Sequence, residues 1–163
     1  MEQQIKYLVI HCTATPEGRK VTKEDIIKWH TSPVSKGGRG WKKVGYSDLI
    51  MLAGTLVNMM PYDDDNVVDT WEITNGAAGF NSVCRHIVYA GGVDADKLKP
   101  KDTRTVGQVT SMTLYVRNFV EKHPNVIVCG HTDLNPAKAC PSFNVGKWLK
   151  SIGIAEKNIF KKV

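Results

Sequence analysis

The sequence contains no C-x-x-C pair, no low-complexity run, no internal repeat and no apolar stretch long enough to cross a bilayer. Each absence removes a class of protein. Four cysteines, at 12, 84, 129 and 140, have neither the pairing nor the density of a secreted disulfide scaffold, so they are expected to be reduced, each a small apolar filler or a ligand. No membrane segment is expected. Residues 1–6 lack the charged, apolar and small-residue regions of a signal peptide and lead straight into an apolar run. The expectation is a chain that is cytoplasmic as synthesised, reaching any target outside by a release or export route that it does not itself encode. Basic residues outnumber acidic ones, 22 to 16, but they are scattered, and aromatic residues do not interleave with them. No nucleic-acid partner is expected, and most of the net charge of +6 reads as solvated surface or as affinity for an anionic polymer.

What is present fits one folded unit. A chain of 163 residues buries about 70% of the surface that its unfolded form exposes. Residues 1–163 are read as one domain, with a core over about 5–152 and a short basic C-terminal tail, and a monomer is expected. Tyr7-Leu8-Val9-Ile10 has the continuous apolar pattern of a strand covered on both faces, and it delivers His11. Thr22 with Asp25 caps a helix over about 23–30. Residues 35–43, with three glycines and four basic residues, read as a loop, and 47–60 as a hairpin turning at Ala53-Gly54-Thr55. Residues 61–82 read as irregular surface chain. His86–Tyr89 is a second core strand. Thr105 and Gln108 cap an amphipathic helix over 106–122. Val126–Cys129 is a third core strand ending at Gly130-His131, and a last helix is expected over 145–152. The fold class that follows is α/β: a mixed central sheet of about five strands flanked by helices, with ligands carried at strand ends.

Two of the three core strands end next to a histidine. A catalytic zinc takes three ligands from His, Cys or carboxylate and leaves one position open. His11, His131 and Cys140 supply such a set, with an eight-residue loop between the last two. Spacing alone does not separate this from a hydrogen-bonded structural histidine and a cysteine used as a small hydrophobe.

The segments Val9-Ile10-His11-Cys12-Thr13-Ala14-Thr15, Gly40-Trp41-Lys42-Lys43-Val44-Gly45-Tyr46, Gly130-His131-Thr132-Asp133 and Lys138-Ala139-Cys140-Pro141-Ser142-Phe143 resemble, in order, the blocks of the zinc-dependent N-acetylmuramoyl-L-alanine amidase family. That family includes phage amidase lysozymes and peptidoglycan recognition proteins, and the likeness runs from about Ile5 to Leu149. The resemblance implies that His11, His131 and Cys140 bind Zn2+, that Tyr46 and Lys138 act on the substrate, and that the substrate is peptidoglycan or a muropeptide, cut between N-acetylmuramic acid and L-alanine. Three departures stand out. Ser47-Asp48 follow Tyr46 where the family has an aromatic-rich strand such as His-Phe, Cys84-Arg85-His86 replace a small Ser-Ile-Gly run, and His131-Thr132-Asp133 replaces His-Arg-Asp. Glu72, in the stretch where some relatives place a general base, reads as a solvated loop carboxylate. The alternatives are a non-catalytic peptidoglycan-binding module, which would be expected to lack Cys140, and a cysteine hydrolase using Cys12 or Cys84.

Overall fold

The computed structural model describes residues 3–162. In chain order the elements are β1 (Gln3–Gln4), β2 (Tyr7–Cys12), β3 (Thr15–Pro16), α1 (Lys23–Thr31), β4 (Asp48–Ile50), β5 (Leu56–Asn58) and β6 (Val67–Val68). There follow β7 (Cys84–Tyr89), β8 (Gly92–Val93), α2 (Val106–Lys122), β9 (Ile127–Gly130), α3 (His131–Leu134) and α4 (Val145–Ser151). Five strands form the central sheet in the order β5-β4-β7-β2-β9, and β1/β6 and β3/β8 make two short ribbons. Within the sheet β4, β7, β2 and β9 are parallel, and only β5 runs antiparallel, at one edge. The parallel strands therefore all end at one edge, where open α/β sheets hold ligands.

Both faces of β2 are covered, which is why its sequence is apolar without alternation. Leu8 and Ile10 join Ile87, Tyr89, Met112, Val116 and Leu149 in the core beneath α2 and α4. Val9 points the other way, toward Cys84 and Cys129. A third cluster, around Ile26, Val44, Leu49 and Val88, seats α1. Both predicted helix starts carry full capping boxes: the side chains of Thr22 and Thr105 accept from the amides of Asp25 and Gln108, whose own side chains accept from the cap amides.

Sequence and structure differ in places. The second core strand begins at Cys84 rather than His86. The start of the expected loop after Gly130 is instead the single-turn helix α3, held because Asp133 accepts from the Gly130 amide at 2.8 Å and the Thr132 amide donates to the Cys140 carbonyl at 2.8 Å. Beyond α4 the chain returns to the sheet: Ile159 is buried, and the Phe160 amide donates to the Val128 carbonyl, while the lysines around them stay exposed.

Glu72 is not solvated. It is buried, accepts from the amides of Asp63 at 2.6 Å and Asp69 at 3.1 Å, and faces the buried Arg85 guanidinium at 3.6 Å. Arg85 also lies over the Tyr62 ring, 3.9 Å from its centroid. Asp48 is buried too, accepting from Tyr62 at 2.7 Å, Tyr115 at 2.6 Å and Asn58 at 3.0 Å. By strand register Asp48 and Arg85 fall on the sheet face covered by α2, among Ile87 and Leu8. Two of the sequence departures thus build a buried polar network that ties the 61–74 segment to the sheet.

Candidate functional site

Two parallel neighbours and one loop build the site. β2 carries His11 at its C-terminal end, and β9 hands the chain to His131, the first residue of α3. The loop after α3 folds back to bring Cys140 alongside. Gly130 permits that close return, since a β-carbon there would lie 2.8 Å from Cδ of Pro141 and 3.0 Å from Val145. The Tyr89 hydroxyl donates to the Pro141 carbonyl at 2.7 Å and fixes the loop from below.

One ligand atom each from His11, His131 and Cys140 lies within 4.8 Å of the others. Nδ1 of His11 stands 3.6 Å from Sγ of Cys140. Two donors sharing a tetrahedral zinc, with Zn–N ~2.1 Å and Zn–S ~2.3 Å, are separated by about 3.6 Å. The donor set and its spacing fit a zinc ion with one position free. His11 is buried and His131 partly so. Burial first, and then the neighbouring histidines, hold His11 well below the ordinary imidazole range; burial first, and then Lys138, lowers His131. Both are neutral at pH 7, the form a metal takes. The Cys12 amide donates to Cys140 Sγ at 3.3 Å. In the metal-free protein the Cys12 thiol, and then burial, push the Cys140 thiol up, so metal binding must displace a proton.

Tyr46 is half-buried with its ring 5.1 Å from that of His11, and burial, followed by Cys140, raises its hydroxyl above the usual phenol range. It therefore remains a hydrogen-bond donor at neutral pH. Lys138 is exposed on the returning loop and lines the same cleft, of about 200 Å³, with Thr13, Arg39, Trp41, Asn75 and Gly76. Of the five residues singled out from the sequence, Tyr46, His131, Lys138 and Cys140 line this cleft, and the buried His11 joins them through the ligand cluster. A larger groove of about 370 Å³, over Leu114, Tyr115 and Phe119 of α2, carries none of them.

Sequence reading missed two members. His30, seen only as a helix end, is buried between Trp41 and Tyr46, with ring centroids 4.9 and 5.3 Å away, and its Nδ1 accepts from the Gly45 amide at 3.1 Å. Burial and Arg39 lower it to about 4. His86, noted only as a departure, places Nδ1 3.0 Å from Nε2 of His11. Of the two cysteines of the rival hydrolase reading, burial pushes Cys84 up to about 12, which removes it as a nucleophile. The Cys12 thiol is instead lowered to about 7, chiefly by Cys140, but its hydrogen-bond partners among the described residues include Ser142 and Cys140 and no histidine that could serve as its base.

No protein-family profile matches the chain. It is 28% identical to an endolysin of Enterobacteria phage K11 over 149 residues, covering 91% of this chain and 88% of that one. It is 27% identical to an endolysin of Klebsiella phage KP32 over 146 residues, covering 90% and 86%. Among solved structures, the N-acetylmuramoyl-L-alanine amidase LysC from Clostridium intestinale superposes with a TM-score of 0.66 at 21% identity, over 93% of this chain and 87% of that one. The chain is thus similar in sequence to phage endolysins over most of its length and shares the fold of an N-acetylmuramoyl-L-alanine amidase. The Drosophila recognition protein PGRP-LB has the same fold, with a TM-score of 0.63 at 18% identity, over 94% of this chain and 86% of that one. Among the described residues no helix is long and apolar enough to cross a membrane.

Proposed function

We propose that the protein is a zinc-dependent peptidoglycan hydrolase that cuts the amide bond between N-acetylmuramic acid and L-alanine. The observation that carries this reading is the convergence of His11, His131 and Cys140 within 4.8 Å, beside a tyrosine and a lysine lining one cleft. The likeness to phage endolysins and to the amidase LysC supports this reading of the substrate class and the bond.

His11, His131 and Cys140 would hold the metal. Zinc bound there supplies Lewis acidity, polarising a carbonyl and activating water near neutral pH. The chain's own residues do the rest. Tyr46, kept protonated by burial, donates a hydrogen bond to the developing oxyanion, and the Lys138 ammonium offsets its charge. Arg39 stacks over Trp41 at 5.0 Å, and the pair walls the cleft against the sugar or stem peptide. A recognition module that holds muropeptide without cutting it has no need of the thiol at Cys140.

The test is mass spectrometry of the fragments released from intact cell wall by the zinc-loaded protein and by Cys140→Ser. Free stem peptides beginning at L-alanine, absent with the variant, are expected. Glycan fragments with their peptides still attached would overturn the assignment of the bond, and wall binding without release would favour the recognition module.

A further inference from the structure

His86 sits in β7, fully buried, two residues before the level of His11 on the adjacent strand. Its ring fills space that exists because residue 76 is glycine: a β-carbon on Gly76 would lie 2.5 Å from Nδ1 and 2.6 Å from Cγ of His86. Nδ1 of His86 is 3.0 Å from Nε2 of His11, whereas Nε2 of His86 has no hydrogen-bond partner among the described residues.

The two rings can share that contact in only one way compatible with the cluster. Nδ1 of His11 faces Cys140 Sγ and must keep its lone pair to act as a ligand. Its proton is then on Nε2, which donates to Nδ1 of His86. His86 must in turn carry its own proton on Nε2, the atom left unpaired. A buried N–H without a partner costs about 1–3 kcal/mol, an arrangement a purely structural residue would not be expected to keep. The orphaned nitrogen and the glycine cut away for the ring point to the same acceptor.

We propose that His86 is a positioning residue: it accepts the Nε2 proton of His11, fixing the tautomer and ring plane that present Nδ1 to the metal. Ligand histidines usually give this hydrogen bond to a carboxylate, a carbonyl or water, and losing such a partner weakens metal binding about 10–100-fold. This inference rests on the zinc reading above and deepens it.

The experiment compares the full chain with His86→Leu, which fills the space without an acceptor, and His86→Asn, whose amide oxygen can stand near the former Nδ1. Zinc affinity is measured by competition with a chromophoric chelator, and the ligand field by the absorption of the cobalt(II)-substituted proteins. Thermal melts of the metal-free proteins monitor the fold. H86L is expected to bind zinc about 10–100-fold more weakly with an altered cobalt spectrum, and H86N to recover most of the affinity and the parent spectrum. Equal affinity in H86L and the parent, or equal losses in H86L and H86N, would overturn the role of His86 while leaving the zinc site intact. Failure of the parent to bind zinc at all would overturn both readings.

Discussion

Gly76→Ala puts the smallest possible wedge between the site and its support. The methyl carbon would lie 2.5 Å from His86 Nδ1 and 2.7 Å from the Gly45 carbonyl oxygen. Unstrained contacts between heavy atoms fall near 3.5–4.0 Å, so something must move by about 1 Å. Gly76 is not among the glycines with positive φ, so the backbone accepts alanine and the penalty is steric. Overpacking of this kind costs about 1–3 kcal/mol, which in a domain of this size lowers the melting temperature by roughly 2–12 °C. If the His86 ring gives way, His11 loses its acceptor and zinc affinity falls about tenfold or more. Gly146→Ala is the control. Its β-carbon would meet Ile159 at 3.6 Å, an ordinary contact, and alanine inside α4 is expected to be neutral or to stabilise by about 0.5–1 kcal/mol. Calorimetric melts and chelator competition on both variants decide the matter. A Gly76→Ala protein that melts and binds zinc like the parent would refute the packing described around His86.

Lys138→Ala should lower turnover on cell wall by ~10²-fold or more with zinc content unchanged, because it removes charge from the oxyanion and not a ligand; near-normal turnover would contradict its role. All five histidines are held below their ordinary value of 6.5, chiefly by burial. The unfolded chain therefore takes up protons below pH 6.5 that the folded chain refuses, and stability of the metal-free protein must fall as pH falls through that range. His30 alone, lowered to about 4, contributes a loss of roughly 3 kcal/mol by pH 4. Melting temperatures that stay level from pH 7.5 to 5 would contradict this. Arg85→Met strands the buried Glu72 carboxylate and is expected to cost about 3–5 kcal/mol in urea unfolding. The double change with Glu72→Gln should recover part of that, and additivity of the two would show that the pair does not interact.

The parts of the fold legible in the sequence are those whose signals are local. Thr105 and Gln108 announce α2 because a capping box is completed within four residues, and the apolar run at Leu8–Ile10 marks a strand covered on both faces. His11, His131 and Cys140 could be picked out because strand ends and a recognisable set of blocks carry them, and the structure brings them together. What stayed hidden depends on partners far along the chain. Glu72 looked like a solvated carboxylate because its buried partner Arg85 belongs to another element, the central strand β7. Asp48 offered no sign of the hydroxyls of Tyr62 and Tyr115 that satisfy it. His86 read as a substitution in a strand, since its contact with His11 spans 75 residues and follows only from the parallel register of β2 and β7. The turn of α3 was obscured because one of its first amides, that of Thr132, finds its acceptor in the Cys140 carbonyl on the returning loop.

Zinc-edge X-ray absorption on the purified, zinc-loaded protein interrogates the centre itself. The account predicts one sulfur near 2.3 Å and two imidazole nitrogens near 2.0–2.1 Å, with one further light atom, and loss of the sulfur shell in Cys140→Ser. A spectrum without sulfur, or one that Cys140→Ser leaves unchanged, would contradict it.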